Sequence, residues 1–387
     1  MLGAALRTVT CQDYDNLEIL VSDNFSNDGT EDVVRNCGDK RVKYLNTGRR
    51  MSMSHNWEFA LSHVHDGWVT IIGDDDGLLP NSIGKVNDII RSAGVEALRS
   101  RVCSYKWPSI TGTSYGRLGV PLQTGTEIRE SRRWLARVLN GRATYLELPM
   151  LYNGGFVSNS VLNDIRSKTG SLYRSCIPDV YSAISISSVI DRYLFLEEPL
   201  AINGASKHST GTSYFGKQNG SEATPVDKFA SEPNIPFHED LPLYADGTYP
   251  ASIQALVYES YLQSRGLRPW PPQDILASQL AIILATSGQH EERIRNWVKQ
   301  CAMRHQLDFD GIESCARRLK RQTRIMSIWT SVSETINTWG IGSTDVPIDT
   351  VFEASVAAGE IRDSNPGRLA NIRRLAKRAL QKWSGRS

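Results

Sequence analysis

The sequence predicts an α/β fold, a mostly parallel sheet flanked by helices, followed by a mainly helical C-terminal domain. Over the first 107 residues, short apolar runs alternate with amphipathic ones, which is the pattern of strand–helix–strand units. Beyond Pro250 the strand pattern stops, and helical periodicity dominates, as in Ile294, Trp297, Val298 and Cys301. The 387 residues also exceed the roughly 100–200 of an ordinary domain, so at least two cores are expected.

The elements follow in order. Leu17 to Val21 is an apolar run ending in Ser22-Asp23-Asn24, and Asp28-Gly29-Thr30 opens a helix with Glu31 and Asp32 at its dipole-favoured start. Residues 41–45 read as a strand, 52–63 as a helix with Trp57, Ala60 and Leu61 on one face, and 68–72 as a buried strand that stops at Gly73-Asp74-Asp75-Asp76. Asn81-Ser82 caps a helix carrying Ile83, Val86, Ile89 and Ile90, and 97–107 is extended. Helices are expected at 131–139, 158–167 and 179–190, with a strand at 193–196. Residues 203–250 are rich in Gly, Ser, Pro and Asn, so they form a functional loop or a linker. The predicted division is 1–210, a connection at 211–249, and a helical domain at 250–387.

Composition narrows the class. With 40% hydrophobic and 22% charged residues the chain is neither disordered nor fibrous. No run reaches the roughly 18–20 apolar residues of a membrane span, and the start is too soon polar for a signal peptide. Six scattered cysteines without metal spacing read as reduced core thiols, which predicts a cytoplasmic protein. The net charge of +2 hides an asymmetry: residues 366–387 hold seven of the 44 basic residues and no acid, leaving 37 bases against 42 acids elsewhere. An acidic body argues against a nucleic-acid partner. The tail itself is a basic amphipathic helix with Leu369, Ile372, Leu375, Ala376, Leu380 and Trp383 in one stripe. Two readings stand: it packs on its own domain with a solvated basic face, or it makes a peripheral contact with the inner face of an anionic membrane.

The sharpest motif is Ile71-Ile72-Gly73-Asp74-Asp75-Asp76-Gly77-Leu78-Leu79-Pro80, three acids at the C-terminal end of an apolar strand, where open α/β sheets bind ligands. Adjacent carboxylates repel, and a divalent cation relieves that repulsion; the alternative is a solvated acidic turn. Asp23 also follows a buried strand and is expected along the same sheet edge, placed either to hydrogen-bond a nucleoside or to close a capping turn.

Leu17 to Thr30, then Asn46-x-Gly48 and Asn56, then Gly73 to Pro80 closely resemble the family 2 glycosyltransferases of GT-A fold, over roughly residues 1–210. The resemblance implies inverting transfer of a sugar from a nucleoside diphosphate, usually UDP, with Mn²⁺ or Mg²⁺, onto a glycan or lipid-linked acceptor in surface polysaccharide assembly. By position, Asp23 would contact the nucleoside, Asp74 and Asp76 the ribose and donor sugar, and Asp75 with Asp76 the metal. His208 would reach the metal or diphosphate from a loop, or be merely solvated. Asn153-Gly154-Gly155 would let backbone approach the sugar, or form an ordinary turn. Asp179, just after Pro178 at a helix start, would be the base that deprotonates the acceptor, or an acid satisfying free N–H groups. GT-A enzymes open with a strand, whereas Met1 leads here straight into a helix, so the sheet is expected to lack a central strand and the natural reading frame to start further upstream. The rival expectations are a degenerate GT-A domain serving as a binding scaffold and a nucleotidyltransferase, although the Gly-rich basic N-terminal loop of the latter is absent.

Overall fold

The computed structural model describes residues 1–109, 116–207, 209, 232–270, 275–342 and 347–384, without the side chains of 323–330 and 378–384. The first half runs α1 (Leu2–Thr10), β1 (Ile19–Asp23), α2 (Thr30–Arg35), β2 (Val42–Asn46), α3 (Met53–Ser62), β3 (Trp68–Val69), β4 (Gly77–Leu78), α4 (Ser82–Ala93) and β5 (Ala97–Lys106). It continues with β6 (Leu118–Pro121), β7 (Thr126–Glu130), α5 (Ser131–Leu139), β8 (Gly155–Ser158), α6 (Asn159–Thr169), α7 (Pro178–Val189) and β9 (Arg192–Ala205). The remainder is α8 (Ile253–Gln263), α9 (Leu276–Ala285), α10 (Glu291–Arg304), α11 (Phe309–Asn337), β10 (Thr338–Ile341), α12 (Val351–Ser364) and α13 (Gly367–Ser384).

This is the expected α/β arrangement of sheet and flanking helices with a helical C-terminal region, but three expectations are corrected. The sheet is mixed rather than mostly parallel. β5 and β9 pair in parallel along their length, whereas β6, β8 and β10 enter antiparallel to their neighbours, as do β4 and β7 on β9. β6 follows β5 directly in the chain, and antiparallel pairing suits strands joined without a crossover. Secondly, β1 pairs in parallel with β2 alone, in a two-stranded sheet separate from the eight-stranded one, so Asp23 and the triple acid do not share a sheet edge. Thirdly, strand does not end at Pro250. β10 extends the large sheet beside β6, and α12 covers it, burying Val351, Ala354 and Ala358 against Ala5, Leu79, Tyr105 and Leu118.

The four-residue strand Thr-Trp-Gly-Ile of β10 is hard to see in sequence because it continues directly from a 29-residue helix. Strand β9 is also far longer than its apolar kernel at 193–196 suggested, since its second half is held by β5 rather than by its own composition. Helices α8 to α11 form a separate cluster around Trp297 and Leu280, closed on the first half by α5 and α7. Cys103, Cys176 and Cys301 are buried thiols as expected, whereas Cys11 is exposed at the end of α1. The 211–249 connection falls largely outside the described residues. No helix among the described residues is long and apolar enough to cross a membrane.

Two contacts set the frame of the site. Helix α1 supports the 77–79 segment from below: Thr8 Oγ1 accepts the Leu78 N–H, and the Gln12 amide donates to Leu79 O and accepts from Ile83 N. Strand β9 runs so close to the acidic turn that a Cβ on Gly204 would lie 1.8 Å from the Asp75 carbonyl oxygen, which only glycine permits.

On α8, Glu259 is wholly buried and tied to the chain before α7 by the Ser175 hydroxyl, with Gln263 Nε2 and the His238 N–H as further donors. Burial raises its carboxyl to about 7, despite these donors. Because the folded chain holds this proton more tightly than the unfolded one, stability from this group is full below the ordinary value of 4.5 and is lost as pH rises through about 7. The loss amounts to roughly 3 kcal/mol. Thermal melting of wild type and Glu259→Gln between pH 4.5 and 8 is expected to show a steeper fall in the wild type than in the variant, which keeps the other raised carboxyls; parallel curves would contradict it.

Candidate functional site

Before the acidic turn only Trp68–Val69 is a strand, and the chain reverses at Asp74–Asp75, where Asp76 N–H donates to Gly73 O. Ile71 is held instead by residues 151–153: its N–H donates to Leu151 O at 2.7 Å, and its carbonyl accepts from Asn153 N at 2.8 Å. This fixes the following turn. The three acids leave it in different directions and with different degrees of freedom. Asp74 is exposed. Asp75 is 8% exposed; its Oδ2 accepts the hydroxyls of Ser206, at 2.9 Å, and Ser209, while its main-chain carbonyl accepts from Trp107 Nε1. Asp76 is fully buried, with Oδ1 accepting Gly204 N–H at 2.8 Å and Oδ2 accepting Gly73 N–H at 2.9 Å and the Tyr152 hydroxyl.

Burial, then the neighbouring Asp75 charge, pushes the Asp76 carboxyl up to about 7, against the pull of its three donors. Asp76 is thus an internal strut whose two oxygens are both engaged. A cation implied by the resemblance would therefore be held by Asp74 and Asp75 rather than by Asp76. A Cβ added at Gly73 would lie 3.0–3.3 Å from Asp76 Oδ2, Asp75 Oδ1 and Tyr152 Oη, so glycine leaves a small polar cradle there. One or two carboxylates with phosphate and water completing the shell suit Mg²⁺ or Mn²⁺, and these residues fit that arrangement. They do not form a cage: among the described residues no group of three or more His, Cys, Asp and Glu is placed to hold a metal. His208 lies outside the described residues.

Asp23 ends β1, opposite Asn46 of β2. It is 4% exposed and accepts from Ser26 N at 2.9 Å on Oδ1 and from Tyr44 Oη at 2.6 Å and Asn46 Nδ2 at 3.2 Å on Oδ2. Burial favours its neutral form, but the hydrogen bonds from Tyr44, Ser26 and Asn46 outweigh that and hold it below the ordinary carboxylate range. Helix α3 links this corner to the rest. Asn56 accepts from Ser22 at 2.8 Å, Ser54 donates to Ser175 O, and the Trp57 ring lies 5.3 Å from that of Tyr152 and 6.0 Å from that of Tyr173.

Asp179 stands in the first turn of α7, with Pro178 at the helix start, where a missing N–H costs nothing. Its Oδ2 accepts the Tyr145 hydroxyl at 2.9 Å. Burial raises its proton affinity, opposed by the Tyr145 bond and by N–H groups at the helix start. Tyr152 is held well above its ordinary value by burial and by Asp76, with further contributions from Asp75 and Asp179, so it lies between the acidic turn and α7. Tyr145 and Tyr152 are thus the residues that link the separate acids. Sequence reading missed both, because isolated tyrosines in an irregular stretch carry no periodic signal.

The Asn153-Gly154-Gly155 stretch has a different explanation from the expected sugar approach. Asn153 and Gly154 are left-handed, at φ 46° and 87°. A Cβ on Gly155 would lie 1.8 Å from Met150 O, and one on Gly154 would lie 2.8 Å from Ser100 Oγ. Close packing of the chain on itself thus accounts for these glycines. Asn153 donates to Asn203 Oδ1, while its own Oδ1 is buried with no partner among the described residues.

Residues 1–131 match the family described as Glycosyl transferase family 2. Over 86 residues, 21% of this chain and 28% of the relative, the sequence is 36% identical to a GalNAc(5)-diNAcBac-PP-undecaprenol beta-1,3-glucosyltransferase of Campylobacter jejuni, so the likeness spans little more than a quarter of that protein. Among solved structures, S. aureus TarS 1–349 in complex with UDP-GlcNAc covers 84% of this chain and 87% of its own at 12% identity and a TM-score of 0.43. A mannosyltransferase from Pyrobaculum calidifontis with GDP-Man and Mn²⁺ covers 82% of each at 14% identity and a TM-score of 0.38. Neither likeness reaches a TM-score of 0.5. The similarity to the family 2 glycosyl transferases is thus carried by residues 1–131.

Proposed function

We propose that the protein transfers a sugar from a nucleoside diphosphate donor, UDP-linked, to a hydroxyl of a glycan or lipid-linked acceptor in surface polysaccharide assembly, with inversion at the anomeric carbon. The observation that carries this reading is the convergence of an acidic turn and a desolvated carboxylate on one side chain: Tyr152 bonds Asp76 and feels the charge of Asp179. The family match over residues 1–131 and the lipid-linked diphosphate in the Campylobacter relative's name support the reaction class and the acceptor.

In this reading Asp23 and Asn46 orient the nucleoside. Asp74 and Asp75 hold the cation, which when bound neutralises charge on the departing diphosphate. Asp76 is not a ligand but sets the directions of the other two. Asp179 takes the acceptor proton, and its raised proton affinity suits a base working near neutral pH. Inversion follows from attack on the sugar face opposite the leaving group.

Helix α13 gives the membrane reading its support. Its packed side is the polar one: buried Asn371 donates to the carbonyls of Thr335, Ile336 and Thr338, and Arg374 donates to Gly340 O. Leu369 and Ile372, on the opposite side, are 73% and 42% exposed. Ala376 shares that outward side, flanked by Arg373 and Lys377. An outward apolar stripe between basic residues matches an anionic lipid surface.

Titration calorimetry with UDP and Mn²⁺ should give metal-dependent heat that Asp74→Asn and Asp75→Asn weaken about tenfold or more; metal-independent binding in the wild type would remove the metal assignment. Asp179→Asn should lower turnover by roughly 10²–10⁴-fold while UDP binding persists. Unchanged turnover would reject it as base, and binding without turnover in the wild type would favour a scaffold. Finally, wild-type protein should sediment with phosphatidylglycerol vesicles and lose this on Leu369→Ser with Ile372→Ser; a wild type that stays in the supernatant would refute the membrane contact.

A further inference from the structure

Arg99, in β5, is 4% exposed, and among the described residues it pairs with no carboxylate. Its guanidinium donates instead to three main-chain carbonyls: Nε to Leu146 at 2.8 Å, and Nη1 to Tyr152 at 3.2 Å and Asn153 at 2.7 Å. Taking a cation out of water without a counter-charge is costly, and burial here lowers its pKa to about 10. An apolar residue of the same size would avoid that cost but would leave three carbonyls short of a donor. A single rigid fork that reaches both ends of a loop is a use for which guanidinium geometry is suited and ammonium is not.

What lies at those ends makes the arrangement more than a packing device. Leu146 follows Tyr145, whose hydroxyl donates to Asp179, and Tyr152 itself donates to Asp76. The loop's far end is pinned again by Asn153 N to Ile71 O, just before the acidic turn, and by Gly154 O accepting Ser100 N–H from the residue after Arg99. Two acids that are far apart in sequence are therefore oriented by tyrosines that stand at, or next to, main-chain carbonyls sharing one buried cation.

We propose that Arg99 is a positioning residue for the transfer reaction, holding residues 145–153 so that Tyr145 meets Asp179 while Tyr152 meets Asp76. The inference rests on Asp179 as the acceptor-side base. The groups facing Asp179 are Tyr145 from the short 3₁₀ turn at Tyr145–Glu147, Tyr152 from the loop and Tyr173 from the segment before α7, with Arg99 acting through Tyr145. Since the Tyr145 hydrogen bond favours ionised Asp179, loosening it raises the pH at which the base works.

The test compares wild type, Arg99→Lys, Tyr145→Phe and the double variant. Arg99→Lys should reduce kcat about tenfold or more, keep the donor KM within about twofold and move the acidic limb of kcat upward by about half a pH unit or more. Tyr145→Phe should move the limb likewise, and the double variant should add little, because both act on one contact. A 13Cγ-aspartate NMR titration, assigned with Asp179→Asn, reads the same shift without turnover. If the wild type transfers no sugar but the Asp179 titration moves in Arg99→Lys, the transferase reading fails and the positioning role stands. An unmoved limb and titration in folded Arg99→Lys, or additive shifts in the double variant, would overturn it. If Arg99→Lys does not fold, Arg99→Gln, which keeps one donor group, takes its place with the same two outcomes.

Discussion

The buried carboxylate of Asp76 is the interaction around which the site is built. It joins three segments that are distant in sequence: the turn through Gly73, strand β9 through Gly204, and the 145–153 loop through Tyr152. Burying a carboxylate next to another is unfavourable, and three donors are the physical condition for it. Once Asp76 points inward, chain geometry sends Asp74 to solvent and leaves Asp75 with one oxygen engaged by Ser206 and Ser209. Three chemically identical side chains in a row thus become a buried strut, a half-engaged acid and a solvent-exposed one.

The frame around this strut is stiff on one side and jointed on the other. Strands β5 and β9, the glycines at 155 and 204 and the Arg99 fork leave little room for the loop and turn to move independently. The corner carrying Asp23 belongs to another sheet and reaches the rest through side chains of α3, with Asn56 on Ser22 and Trp57 on Tyr152. The nucleoside side and the chemical side of the proposed site are coupled through a helix face rather than through a shared ladder of backbone hydrogen bonds.

The C-terminal region returns to the sheet instead of standing apart. α8 to α11 bury one side of α5 and α7, so the helix that bears Asp179 is packed from both parts of the chain. β10 and α12 then close the opposite edge near Tyr105 and Ile348. α13, last in order, turns Asn371 and Arg374 to this body and Leu369 and Ile372 outward, which is the reverse of what burial alone would select.

Local chemistry was enough to determine much of this protein from sequence. Apolar runs and caps placed most helices between residues 52 and 190 within a few residues, the Gly-Asp-Asp-Asp turn and Asp23 marked the candidate site, and Pro178 marked the start of the Asp179 helix. These signals were legible because each is written within a few neighbouring residues. Other features depend on partners distant in the chain. The separation of β1 and β2 from the main sheet, the return of β10, the different fates of Asp74, Asp75 and Asp76, and the linkage of Tyr145 and Tyr152 through Arg99 were decided by tertiary structure. Whether a carboxylate is buried, or a strand finds an edge, depends on segments tens to hundreds of residues away, and no local pattern encodes which of them arrives.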